Sequence, residues 1–244
     1  MQWPMRAYCA VALTLLVVVL SMFLLDSAAS SWARTLPPWF IGSFERITDF
    51  GLSGWFLFPF GFVLLSLAAV TSSVWSSKTQ AVLAMLTMRF GYVFLAIGVP
   101  GLFAAIIKGM IGRARPYVGP KDDPFAYIPF SWNPAYASLP SGHSTTAVAA
   151  AVAIGAIWPA ARGVMWIYAL LIMFSRVAVL EHHPSDVLAG ALVGVVGADL
   201  LRRWFAAQGL LFLASDLKAM PGPSFSRVWR AIAEIVRGKS GQKA

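Results

Sequence analysis

Six apolar runs dominate the chain, at roughly 7–25, 54–73, 83–107, 144–161, 163–180 and 187–207. Each approaches the length of helix, about 20 residues, that crosses a hydrocarbon core of about 30 Å. Only 12% of the residues are charged and 59% are hydrophobic, against about 25% charged in a soluble domain. The expectation is an all-α polytopic membrane protein with six transmembrane helices in a bundle. Residues 1–210 form the membrane domain and 211–244 a basic cytoplasmic tail.

The first run is followed by Ser27-Ala28-Ala29, which resembles a signal-peptide cleavage site. Its apolar stretch exceeds the usual 7–15 residues of a signal peptide, so it is read as a retained anchor. The lone Cys9 excludes an intrachain disulfide. Two further stretches have the pattern of short interfacial helices. Residues 37–50 place Trp39, Phe40, Phe44 and Ile47 at helical spacing. Residues 224–239 place Val228, Ile232, Ile235 and Val236 on one face, with Arg227, Arg230, Arg237 and Lys239 around them.

Loop charge orients the bundle. With six spans, the side holding both termini carries twelve cations against three acids, and the other side seven against seven. The basic side is therefore expected in the cytoplasm. Parity then brings the end of span three (Lys108), the start of span four (His143), the end of span five (Ser175, Arg176) and the start of span six (Asp186) to the extracytoplasmic face. These positions lie up to 78 residues apart in sequence.

Charge inside a bilayer is costly, so such a gathering is a functional-site candidate. Lys108, Arg113 and Arg115 lie in a stretch broken by Gly109 and Gly112 and ended by Pro116. A continuous helix would put Lys108 and Arg115 on one face and Arg113 elsewhere. Arginine offers a fork matched to phosphate oxygens and lysine a point charge; the plainer reading is snorkelling to lipid headgroups. Pro140-Ser141-Gly142-His143 reads as a helix N-terminus, a natural anion site with glycine allowing close approach, or else as ordinary capping. Pro184 suits the first position of the last span. His182 then sits just outside that helix and Asp186 in its first turn, where Asp186 can orient one ring nitrogen and leave the other to attack. His183 is read as structural or peripheral. A metal site at His143, His182, His183 and Asp186 is the competing chemistry; the nearby cations favour an anion instead, and no metal or cofactor is expected.

Together, Lys108 to Arg115-Pro116, Pro140 to His143, and Ser175-Arg176 with His182 and Asp186 resemble the signature of the type 2 phosphatidic acid phosphatase (PAP2) family of integral membrane lipid phosphatases. The resemblance implies a metal-independent hydrolase working through a phosphohistidine. His182 would be the nucleophile, Asp186 its support, and His143 the proton donor and later the activator of water. Lys108, Arg115, Arg176, Ser141 and Gly142 would bind phosphate, and Arg113 is not among the fixed positions. The expected partners are membrane lipids and a lipid phosphate, with no nucleic acid. The expected location is a bacterial inner membrane, with the site facing the periplasm or exterior. An isoprenyl diphosphate or phosphatidylglycerophosphate leads among substrates, phosphatidic acid is a further candidate, and lipid A 1-phosphate is an alternative. A lipid phosphotransferase and, from a different class, a phosphate-binding transporter are the competing functions.

Overall fold

A computed structural model describes residues 3–118 and 123–241, the side chains as far as 238; Lys239 of the predicted tail helix and Lys243 lie outside those side chains. The described residues form α-helices joined by turns, two short 3₁₀ segments and isolated bridges, without a strand. The helices are α1 (Met5–Leu24), α2 (Asp26–Ala33), α3 (Pro38–Asp49), α4 (Gly54–Val70), α5 (Ser77–Ile111), α6 (Gly142–Ile157), α7 (Arg162–Ala178), α8 (Pro184–Ala207) and α9 (Phe225–Gly241).

Among the described residues, five segments are long and apolar enough to cross a membrane: Met5–Leu24, Pro38–Val70, Ser77–Ile111, Pro159–Ala178 and Pro184–Ala207. The run expected at 144–161 is shorter as a helix. Pro159 cannot continue it, and Trp158 before it is pushed to φ −123°, ψ 85°. The 16 residues of α6 span about 24 Å at 1.5 Å per residue.

α6 nevertheless sits at the centre of the bundle, against α5, α7 and α8. Nearly all of it is buried, and its face is built from Ala147, Val148, Ala149, Ala150, Ala151 and Ala153. Small residues allow helix backbones to approach closely, which is how helices associate where lipid is as apolar as leucine. At Gly190 of α8, a methyl group would come within 2.4 Å of the Ser141 carbonyl oxygen. This close seam presses the start of α8 onto the start of α6. Farther along the bundle, Tyr92 packs edge-on against Phe205 and Phe212, with centroids 5.4 and 4.8 Å away.

The amphipathic stretch 37–50 folds as α3, parted from α4 by the bend at 50–53. The tail forms α9, which packs on the start of α5. Glu234 fastens it there, accepting hydrogen bonds from Ser76 N (2.6 Å), Ser76 Oγ (2.7 Å) and Thr79 Oγ1 (2.6 Å).

Candidate active site

α5 and α7 end, and α6 and α8 begin, at one end of the bundle, and the motif residues meet there. Lys108 lies in the last turn of α5, and its Nζ would be 3.6 Å from a methyl group placed on Gly142. Lys108, Gly142 and His143 share the wall of a cleft of about 370 Å³, which continues past Leu57, Ile97 and Leu102 between α4 and α5. Arg176 ends α7, and its Nη1 donates to Thr48 Oγ1 at 2.7 Å. Arg176, His182, Lys108 and Arg115 all lie close enough to act electrostatically on His143. Lys108, Arg115, Arg176, Gly142, His143 and His182 therefore gather at one cup, while Ser141 is fully buried at the start of α6.

The local folding follows from residue chemistry. Gly112 ends α5 in the left-handed region, φ +65°, and its amide returns to the Lys108 carbonyl. A side chain there would collide with the Ile128 carbonyl, 1.7 Å from an added Cβ, so glycine is required. The helix does not persist through 113–115 as a shared face for Lys108 and Arg115 would need. Beyond Gly112 the chain is extended, and both Arg113 and Arg115 turn toward the site. Ser141 caps α6, its Oγ accepting from Ser144 N at 3.4 Å, and its own amide donates to the Asp186 carbonyl at 3.0 Å. After α7, Leu180 adopts φ +57°. That reversal brings the amides of Glu181 and His182 back onto the Arg176 carbonyl at 3.2 and 3.1 Å.

Asp186 has no exposed surface and His182 is 4% exposed. The direct His182–Asp186 hydrogen bond expected from their spacing is replaced by a longer link. His182 Nδ1 is 3.9 Å from Asp186 Oδ2, and the Ser138 hydroxyl lies between. Ser138 Oγ is 3.5 Å from His182 Nδ1 and donates to Asp186 Oδ2 at 2.6 Å. This polarity assigns the ring proton to Nδ1 and leaves Nε2 with a free lone pair. Burial pushes the His182 imidazole down to about 4, with Arg176 and Arg115 acting the same way and Asp186 opposing them. The ring is thus neutral, the form in which a nitrogen can attack.

Arg113, set aside in the sequence, lies at the rear of the site with no exposed surface. Its Nη1 donates to Asp186 Oδ1 (2.6 Å) and Ser185 Oγ (2.7 Å), its Nη2 to Asp26 Oδ2 (2.7 Å), and its Nε to the Pro124 carbonyl (3.0 Å). Burial works against the guanidinium charge, but Asp186 and Asp26 more than offset it and raise its pKa. His183 is buried as the N-cap of α8; its amide donates to Asp186 Oδ2 at 2.9 Å and its Nδ1 lies 3.3 Å from Ser30 Oγ. Four contributors carried no motif signal. They are Ser138, Asp26, Ser30 and Glu181, the last pairing with Arg115 and, at 3.3 Å, with Arg176 Nη2.

The family model of the PAP2 superfamily matches residues 89–210. A lipid A 1-phosphatase of Rhizobium johnstonii is 33% identical over 214 residues, covering 87% of each chain. That of Rhizobium etli is 32% identical, covering 87% of this chain and 91% of the relative. The chain belongs to the PAP2 superfamily. It is thus a membrane-embedded phosphatase of lipid phosphates. The fold agrees: a PAP2-type phosphatidylglycerolphosphate phosphatase of Bacillus subtilis superposes with a TM-score of 0.55 at 20% identity, over 81% of this chain and 96% of that one. Seen against the PAP2 match, Lys108, Arg115, His143, Arg176, His182 and Asp186 fall inside the matched segment, and Asp26 and Ser30 fall before it.

Proposed function

We propose that this PAP2 phosphatase removes the 1-phosphate of a lipid A-type glycolipid through a phosphohistidine on His182. The observation that carries the reading is one cup holding three cations, two imidazoles and a buried carboxylate. Two relatives matched over most of their length bear the name lipid A 1-phosphatase, which favours this substrate over the isoprenyl diphosphate and phosphatidylglycerophosphate of the initial expectation. The cleft of about 370 Å³ joins Lys108 and His143 to the apolar surface of Leu57, Ile97 and Leu102, as suits a headgroup whose acyl chains stay in lipid.

Lys108, Arg115, Arg176, the Ser141 hydroxyl and the Gly142 amide hold the phosphoryl oxygens and stabilise the charge that gathers there in the transition state. The Nε2 lone pair of His182 forms a bond to phosphorus as the phosphorus–oxygen bond to the sugar breaks. His143, protonated once the bound phosphate offsets the cations around it, delivers that proton to the departing oxygen. His143 then takes a proton from water, whose oxygen attacks phosphorus and breaks the nitrogen–phosphorus bond. Inorganic phosphate leaves and the His182 lone pair is restored. Ser138 and Asp186 hold Nδ1 throughout. These steps need no metal, since the three cations supply the positive charge.

On this reading α6 is a sixth, short span, tolerated because neighbouring helices rather than lipid surround it. Residues 1–210 are one membrane domain, and α9 lies in the tail on the cytoplasmic side. The excess of loop cations on the side of the termini supports a cup on the outer face of the membrane, taken here as a bacterial inner membrane. The test is phosphate release by the purified chain, with chelator present, from lipid A, phosphatidylglycerophosphate, phosphatidic acid and undecaprenyl diphosphate. Fastest turnover on lipid A, lost in His182→Ala, is the expected result. Faster turnover on another lipid overturns the substrate, and activity lost in chelator overturns the metal-free mechanism.

A further inference from the structure

Asp26 stands where α1 gives way to α2, before the segment matched by the family, and has no exposed surface. Its Oδ1 accepts from Ser185 N at 3.0 Å, and its Oδ2 accepts from Arg113 Nη2 at 2.7 Å and from the Ser185 hydroxyl. Arg113 in turn donates to Asp186 Oδ1 at 2.6 Å. Asp26 is not part of the cup that holds phosphate.

We propose that Asp26 is a positioning residue for the hydrolysis, acting through Arg113 and Ser185 to fix the first turn of α8 and to leave the buried group behind His182 net negative. The proposal rests on the phosphohistidine reading above. Two carboxylates share one guanidinium, so the buried group Asp26–Arg113–Asp186 carries one net negative charge. Unbalanced charge away from water is costly. An asparagine at 26 would leave a neutral Arg113–Asp186 pair, so charge balance alone gives no reason for the excess.

Catalysis does give one. The His182 ring lies one hydroxyl away, across Ser138. It gains positive character when Nε2 bonds to phosphorus. Arg176 and Arg115 face the same ring and oppose that charge. With Asp26 in place, Arg113 is shared and Asp186 retains negative potential to support the cationic ring. With asparagine there, Arg113 would balance Asp186 alone and Ser185 would keep at most one of its two acceptors at position 26.

The test compares wild type, His182→Ala, Asp26→Asn, Arg113→Gln and the Asp26→Asn/Arg113→Gln double variant as full chains in detergent, by phosphate release from the lipid substrate. Asp26→Asn is expected to lower kcat about 10- to 100-fold, the range that loss of a hydrogen bond to a charged group produces. KM stays within about threefold, because the cations that bind phosphate are untouched. The double variant falls within about twofold of Arg113→Gln, because the two act as one unit. A wild-type kcat in Asp26→Asn, a loss confined to KM, or independent multiplicative losses would each overturn the proposal. Activity surviving in His182→Ala refutes the reaction itself, whereas an inert His182→Ala beside a fully active Asp26→Asn refutes this proposal alone. If Asp26→Asn does not yield monodisperse protein, Asp26→Glu replaces it. Its retained charge predicts a kcat above that of Arg113→Gln, and a value no higher overturns the proposal.

Discussion

Gly190 is the point at which α8 presses on the start of α6, and a single methyl group there tests whether that contact sets the geometry of the cup. In Gly190→Ala the new Cβ would lie 2.4 Å from Ser141 O, 3.1 Å from Ser144 Cβ and 3.2 Å from Ser141 C. Ordinary contact begins at 3.4 Å, so the two backbones must part by about 3.4 − 2.4 = 1.0 Å along that line. The neighbour is backbone, which cannot swing aside as a side chain would. Overpacking of this kind costs about 1–3 kcal/mol, or about 2–12 °C in melting temperature for a chain of this size. Gly142 and His143 line the cleft, and Ser141 caps the helix that carries them. A misplacement of about 1 Å at reacting groups costs on the order of 100-fold in rate. The assay is kcat/KM for phosphate release, with thermal unfolding in the same detergent. Gly163→Ala is the control, since a methyl group there meets nothing within 4 Å. Wild-type activity and melting temperature in Gly190→Ala would refute the claim that this contact holds the phosphate-binding turn.

Three further outcomes follow from the site. His182 is held at about 4, below its free value of about 6.5. Between those pH values the unfolded chain binds more protons than the folded one, so stability falls as pH drops from about 6.5 to 4, by roughly 3 kcal/mol in all; burial lowers His183 in the same direction. Unfolding of the phosphate-free protein across that range checks it, and a flat profile contradicts it. Ser138→Ala removes the hydroxyl between Asp186 and His182, a hydrogen bond to a charged group worth about 1.5–3 kcal/mol; kcat should fall about 10- to 100-fold, and an unchanged kcat contradicts the role. Glu181 holds Arg115 and Arg176, so a bound phosphate must compete with its charge. Glu181→Gln should lower the Ki of inorganic phosphate severalfold in inhibition assays, and a raised Ki contradicts it.

Much of this was legible in the chain because hydropathy and three short motifs depend on local spacing alone. Helix existence, the N-terminal position of Ser141-Gly142-His143 and the placement of Pro184 and Asp186 in the first turn of α8 are examples. What was not legible depended on turns and on distance in sequence. Arg113 falls outside the family's fixed positions, and a continuous helix would point it away from the face shared by Lys108 and Arg115. Gly112 breaks that helix and aims Arg113 inward, and a glycine followed closely by Pro116 is the signal that points to such a stop. Asp26 reaches Arg113 across 87 positions from within an apolar stretch, and no periodicity announces that contact. Ser138 precedes a motif it serves, and a lone serine carries no signal of a bridging role. The run at 144–161 read as a full span because hydropathy does not register that Pro159 stops the helix early.

The central claim is tested most directly by incubating the full chain with a lipid phosphate labelled at phosphorus, quenching in alkali and mapping the labelled residue. The account predicts an alkali-stable, acid-labile label on His182, absent from His182→Ala. Label on another residue, or phosphate release at the wild-type rate by His182→Ala, would contradict it.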